Sequence, residues 1–304
     1  MSVLSTPIVA DTVARVLRRG MSLMKPRPAF EEIPGRTRTV RVPTRHGEVE
    51  CTVYSPPPGG GERPGVYVNA HGGGYVMDNR EQDDPWCRYL AARAGVTVVN
   101  TDYSVAPEHR FPVPVEQVFD VVTWAARPEH DWDGRRLCVG GQSAGGALAA
   151  GAARLALENG GPAIALQVLH YPPLDLVTPG GEKRARAAKP MLRPWMSEVF
   201  DTAYIPDPAA RRDRLASPAW GANAEGIAGI APALVVTCEL DLLRDEGEAY
   251  ARALDAAGAL VEHHEVAGAD HAYDLAGGDR ELTGRVYDLI AGHVRRAVGG
   301  ADAR

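Results

Sequence analysis

The chain has 304 residues, 45% of them hydrophobic and 24% charged, with a formal net charge of −6. That balance supports a large folded core and excludes a wholly disordered chain, and the acidic excess excludes a charge-driven nucleic-acid binder. No apolar run approaches the ~20 residues of a membrane helix, and Cys51, Cys87, Cys138 and Cys238 are too scattered for a zinc motif or a disulfide framework.

Asp11, Arg15, Arg18 and Arg19 interrupt any signal-peptide core, so a reduced, cytoplasmic protein is expected. The same segment reads as an amphipathic helix. Thr6 suits its N-cap and Pro7 its first position, and Val9, Val13, Val16, Leu17, Met21 and Met24 recur at helical spacing. Such a helix either docks on the main core or covers a pocket. Pro26 to Pro34 is a breaker-rich link. Residues 37–42 and 48–54 alternate apolar and polar side chains and predict a hairpin around His46-Gly47, and 56–61 form a loop.

The pattern then changes. Residues 66–70, 96–100, 137–140, 164–169 and 233–237 are short apolar runs of the kind found in buried parallel strands. Helical patterns at 83–94, 113–126, 144–158, 245–258 and 280–297 lie between or after them. This alternation predicts an α/β fold with a mostly parallel central sheet flanked by helices. Residues 176–231 break the rhythm, because ordinary connections run about 4–6 residues. That stretch should hold helices of its own, and its Lys183, Arg184, Arg186, Lys189 and Arg193 read first as a solvated face.

Chemistry-bearing residues cluster at the ends of the predicted strands. Gly141-Gln142-Ser143-Ala144-Gly145 follows one strand and opens a small-residue helix, the context a strained nucleophile turn requires. Gly141, Gly145 and Gly146 let helix and strand approach closely. His71-Gly72-Gly73-Gly74-Tyr75 follows another strand. Its free backbone N–H groups, with that of Ala144, could hold a developing oxyanion. Asp102 to Pro112 reads as a loop bracing that glycine turn, with His109 structural. Asp241 lies just past the strand at 233–237, and His271 sits in a later turn, in the order serine, acid, histidine. Asp245 and Glu246 suit a helix start. Glu262-His263-His264-Glu265 is no chelate, since adjacent strand residues point to opposite faces. No phosphate-loop or dinucleotide motif occurs, and no metal or cofactor is expected.

Taken together, HGGG at 71–74, D-Y-x-x-A-P-E-H-x-F-P at 102–112, G-x-S-A-G-G at 141–146 and D-x-L-R-D-E-G at 241–247 resemble the hormone-sensitive-lipase-like family of α/β-hydrolase esterases. The similarity spans about residues 35–297. The resemblance implies one α/β-hydrolase domain over 1–304, with a helical cap formed by about 1–34 and 176–231. It implies Ser143 as nucleophile, His271 as base and Asp241 as acid. It implies Gly73, Gly74 and Ala144 as oxyanion donors, with Gly72 shaping the turn, and a small ester of short to medium acyl chain as substrate. Trp195, Met196, Phe200 and Tyr204 become pocket-wall candidates. An amidase or formamidase on the same triad, and a non-catalytic binding protein on the same scaffold, are the alternatives. Monomer and homodimer are both compatible, the latter through the strand at 260–266 and the last helix. Gln142, Leu242 and Ala272-Tyr273 depart from the family pattern, and the Tyr273 hydroxyl is expected near the pocket.

Overall fold

A computed structural model describes residues 3–22, 33–59, 62–275 and 278–299. The Met21 side chain, Met24, most of the Pro26–Pro34 link and Gly60-Gly61 of the following loop lie outside those residues.

Helix α1 (Pro7–Ser22) opens at the predicted proline. Its inward face is carried by the small residues Ala10 and Ala14 with Val13 and Leu17 beside them, whereas Val16 is exposed. Strands β1 (Thr37–Thr44) and β2 (Gly47–Tyr54) form the expected hairpin, with Thr44 opposite Gly47. The turn residues are therefore Arg45-His46, one position earlier than the sequence suggests.

Six further strands complete one sheet: β3 (Val66–Ala70), β4 (Thr97–Thr101), β5 (Leu137–Gln142), β6 (Leu166–His170), β7 (Ala233–Cys238) and β8 (Leu260–Val266). The order is β1-β2-β4-β3-β5-β6-β7-β8, antiparallel at β1, β2 and β4 and parallel from there on. Strands β3 to β7 are buried along their whole length. Their unbroken apolar runs follow from helices covering both faces. Helices α2 (Asp84–Ala94) and α7 (Arg280–Val298) cover one face. Helices α3 (Val113–Ala125), α4 (Ala144–Asn159) and α6 (Arg244–Ala256) cover the other.

Residues 176–231 contain no strand. They hold helix α5 (Pro194–Tyr204) and two short 3-10 turns. Helix α5 packs on α1 and shares the core of the α3–α4 face through Val199, Phe200 and Ala203. One expectation fails inside this stretch. Lys183 is not on a solvated face: its side chain is 6% exposed and its Nζ pairs with Glu246 Oε2 at 2.7 Å. Glu246 opens α6 as expected, yet it too is buried. Each charge stays inside because the other neutralises it.

The parallel arrangement puts the carboxyl ends of β3, β5, β6, β7 and β8 along one edge. Those ends lead into His71–Tyr75, Ser143, Tyr171, Asp241 and His271 respectively. Open α/β sheets place their sites at this edge.

Candidate active site

Ser143 stands between β5 and α4 with φ 52° and ψ −123°, a conformation side-chain-bearing residues rarely adopt. Its N–H donates to His170 O at 2.9 Å, and its carbonyl accepts from Gly146 N at 2.9 Å. The turn closes because Gly141 and Gly145, two residues to either side, have no side chain. A Cβ on Gly145 would lie 1.8 Å from Ala70 O, and one on Gly141 would lie 2.2 Å from the same atom. Strand β3 and helix α4 therefore cross at backbone contact, and the serine side chain is the group left to project.

Ser143 Oγ lies 2.9 Å from His271 Nε2, and His271 Nδ1 lies 2.8 Å from Asp241 Oδ2. The Asp241 carboxylate can only accept, so Nδ1 carries the hydrogen. Nε2 is then free to accept from the serine hydroxyl. Asp241 is 1% exposed and His271 8%. Burial pulls the imidazole pKa down, but the Asp241 charge and hydrogen bond, with Asp270 and Asp274, outweigh it and leave His271 above its ordinary value. Asp241 Oδ1 also accepts from Leu243 N at 3.2 Å.

The glycine turn borders this group. A Cβ placed on Gly72 would come 3.7 Å from Ser143 Cβ. Gly73 and Gly74 both have positive φ, 124° and 59°. Ala144 is fully buried behind the serine as the first residue of α4. Its N–H has no partner inside the helix, and the N-terminal end of the helix dipole favours negative charge there. The Asp102–Pro112 loop braces the turn as expected. The Tyr103 hydroxyl donates to His71 O at 2.7 Å, its ring stacks on His71 at 4.3 Å, and Ala106 N donates to Tyr75 O at 2.8 Å. Burial pushes His71 down to about 4, so it is neutral, and its Nδ1–H donates to Gly72 O at 2.7 Å. His109 is exposed and does not line the cavity.

A cavity of about 130 Å³ sits over these atoms. Gly72, Gly73, Gly74, Ser143 and His271 line its floor, and Met191, Leu192, Met196 and Phe200 its roof. Four described residues other than glycine have positive φ: Tyr75, Ser143, Tyr171 and Ala272. All four line this cavity. Strain of this kind costs roughly 1–3 kcal/mol per residue and gathers where function requires it.

Two wall expectations are corrected. Trp195 faces outward at 38% exposure, and Tyr204 is buried against Tyr75 with ring centroids 4.0 Å apart. On helix α5 Met196, Ser197, Phe200 and Asp201 face the cavity; Trp195 is turned away from them, and Tyr204, one turn past Phe200 on the same row, packs on Tyr75 instead. The Tyr273 hydroxyl also misses the cavity and lies 3.1 Å from His170 Nε2.

Gln142, unusual beside the serine, has a partner that sequence reasoning missed. Its Nε2 donates to Asp274 Oδ2 at 2.5 Å, and Asp274 also accepts from Tyr171 and Tyr287 hydroxyls at 2.6 Å and 2.8 Å. An amide at residue 142 donates to this buried carboxylate, where a second carboxylate would repel it. Gln82, Ser197, Asp201 and Leu275 also line the cavity and carried no motif signal; Leu243, from the motif at 241–247, lines it as well. The adjacent His263 and His264 diverge as argued: His263 meets Thr237 Oγ1 at 2.9 Å, whereas His264 lies 3.7 Å from Glu262. Among the described residues no His, Cys, Asp or Glu cluster could hold a metal.

A family profile described as the alpha/beta hydrolase fold matches residues 67–275, more than half of the chain. This chain belongs to that family. The α/β-hydrolase is 34% identical over 270 residues to the carboxylic ester hydrolase LipN of Mycobacterium tuberculosis, covering 84% of this chain and 70% of LipN. It is 34% identical over 233 residues to an ethyl acetate hydrolase of Pseudomonas putida, covering 75% and 72% of the two chains. Among solved structures, a fungal esterase from Rhizomucor miehei superposes with a TM-score of 0.82 at 29% identity, covering 95% of each chain. The motifs at 71–74, 102–112 and 141–146 fall inside the matched span, as does the whole Ser143–His271–Asp241 group.

Proposed function

We propose that this α/β-hydrolase is a serine carboxylesterase in which Ser143, His271 and Asp241 form the catalytic triad. The observation that carries the reading is the hydrogen-bonded chain at the cavity floor, 2.9 Å from Oγ to Nε2 and 2.8 Å from Nδ1 to Oδ2. Carboxylic ester hydrolases among its relatives support it.

Ser143 Oγ attacks the ester carbonyl while His271 Nε2 takes the hydroxyl proton. Asp241 holds the imidazole tautomer and stabilises the imidazolium. The N–H groups of Gly73, Gly74 and Ala144 receive the oxyanion, and Gly72 sets the path of the turn. His271 then protonates the leaving alcohol. Water, deprotonated by His271, attacks the acyl-enzyme and releases the acid. Every step is a proton transfer or an acyl transfer between groups already in place.

The cavity volume favours short acyl chains. A space of about 150 Å³ holds a benzene-sized group, and this one is about 130 Å³. Residues 176–231 and helix α1 act as the cap, supplying the roof and the helix on which that roof rests. The four cysteines are free and buried, which suits a reducing compartment such as the cytoplasm. No helix among the described residues is long and apolar enough to cross a membrane. The protein works as a monomer or as a homodimer through β8 and α7.

Hydrolysis of p-nitrophenyl esters from C2 to C16 by wild type and Ser143→Ala tests the reading. The expected result is a short-chain maximum and a loss of about 10⁶-fold in kcat in the variant. Activity that survives in the variant would remove Ser143 as nucleophile. Faster cleavage of a matched anilide by wild type would replace the esterase with an amidase.

A further inference from the structure

The cavity roof is apolar except at one place. Asp201, on helix α5, lines the cavity and is only 5% exposed, beside Met196 and Phe200. Ser197, one turn earlier, donates its hydroxyl to Asp201 Oδ2 at 3.2 Å. Among the described residues no donor meets Oδ1, and no cation lies within ion-pair distance of the carboxylate.

The neighbouring cations are committed elsewhere. Lys183 pairs with Glu246 at 2.7 Å and donates to Asp175 O at 2.6 Å. Arg211 donates to Ile205 O and to Thr202 Oγ1, both at 2.9 Å. Burial pushes the Asp201 carboxyl up to about 6, while the Lys183 and Arg211 charges and the Ser197 hydrogen bond hold it down. Asp201 is thus an anion at neutral pH, stabilised at a distance, with one oxygen unmatched at the cavity. The unmatched oxygen belongs to a residue that lines the cavity, where a group of the substrate can reach it. The Asp201 charge also faces the buried Lys183, but the direct ion pair there is Lys183–Glu246, which leaves the Asp201 carboxylate without a cation in contact among the described residues.

We propose that Asp201, oriented by Ser197, is a specificity site that accepts a hydrogen bond from a hydroxyl group of the substrate, so that the preferred esters are short and hydroxylated. The proposal rests on the esterase reading above. A neutral hydroxyl fits better than an ammonium group. It satisfies Oδ1 without bringing another charge into an apolar cavity already held in the field of Lys183 and Arg211. A pocket built to hydrogen-bond a hydroxyl also discriminates strongly against the analogue that lacks it.

The experiment uses two near-isosteric ester pairs in which a methyl group is replaced by hydroxyl. On the alcohol side the pair is propyl butyrate and 2-hydroxyethyl butyrate. On the acyl side it is the p-nitrophenyl esters of 3-methylbutyrate and 3-hydroxybutyrate. For each pair the hydroxyl-to-methyl ratio of kcat/KM is divided by the same ratio for alkaline hydrolysis, which removes intrinsic reactivity. Reading a ratio within each protein cancels general damage from a substitution.

In wild type at least one corrected ratio should exceed one. In Asp201→Leu that ratio should fall about tenfold or more, chiefly through KM. Asp201→Asn, which keeps the shape and one accepting oxygen, should fall less. Corrected ratios at or below one for both pairs in wild type overturn the subsite without any variant. So does a ratio that Asp201→Leu leaves unchanged. If Asp201→Leu does not fold, the wild-type ratios and Asp201→Asn decide. Hydrolysis of the methyl partners with no hydroxyl preference overturns the subsite alone. Failure on all four esters overturns the esterase reading and the subsite with it.

Discussion

The floor and the roof of the cavity are built on different principles. The floor is backbone. Strand β3 touches helix α4 where Gly145 has no side chain, and the serine projects because nothing else can. The roof is side chain. Met191, Leu192, Met196 and Phe200 close it, and Asp201 punctuates it. A floor made of backbone tolerates no change of volume, whereas a roof made of unbranched and aromatic side chains can be resized. Reactivity is thereby separated from substrate choice, and each can be perturbed with little effect on the other.

The sharpest way to break that separation is at the triad, where shape stays constant and charge changes. Asp241→Asn should leave the fold intact and lower kcat by about 10⁴-fold. Because the base must be neutral to act, kcat/KM should rise with pH through the His271 pKa. In wild type that midpoint should lie above 6.5, and it should drop in Asp241→Asn, since the Asp241 charge and hydrogen bond oppose the effect of burial. A loss below tenfold, read from steady-state rates with the profile unmoved, would remove Asp241 from the mechanism.

The floor itself should fail as a fold before it fails as a catalyst. Gly145→Ala places a methyl 1.8 Å from Ala70 O, and both partners belong to rigid elements. The expected cost is about 3 kcal/mol, the upper end for overpacking. Denaturant unfolding measures it. A variant of wild-type stability would mean that β3 and α4 can part without penalty.

The roof should yield most gently. Met196→Ala should cost about 1 kcal/mol of stability. It should raise the kcat/KM of longer p-nitrophenyl esters relative to the acetate by roughly tenfold, within the range a methylene or two commands in an apolar pocket. An unchanged chain-length profile would take Met196 out of the roof's selective surface.

The same division explains what could be read in the sequence. The floor was legible because it depends on residue type at fixed local spacing: glycines around Ser143, glycines after β3, and strands too apolar to be anything but buried. The three residues proposed as the triad could be picked out because each follows a strand whose end could be located. The roof was not, because its geometry depends on the rotation of α5, which no local pattern sets. Trp195 and Tyr204 are as apolar as Met196 and Phe200, yet Trp195 is turned outward and Tyr204, one turn past Phe200, packs on Tyr75. Lys183 sits in a run of basic residues that reads as solvated, and only the distant Glu246 makes it a buried ion. Gln142 looked like a bare departure until Asp274, 132 residues away, supplied its partner. The four strained residues around the cavity carry no shared signature, since strain belongs to backbone dihedrals that side chains of several kinds are made to adopt.

Helix α1 carries a consequence of another kind. Asp11 pairs with Arg110, Arg15 with Glu108, and Arg18 donates to the carbonyls of Val76 and Ala106. Ser5 donates to Glu198 on α5, 193 residues further along the chain. Helix α1 is therefore held by groups far from it along the chain, Glu198 the most distant of them. Closing a loop of that length is entropically slow and must wait for the sheet that displays the partners. During synthesis the apolar roof should stay open until α5 has emerged, so the nascent enzyme passes through a stage in which its future substrate pocket is an exposed hydrophobic surface, the kind of surface chaperones bind.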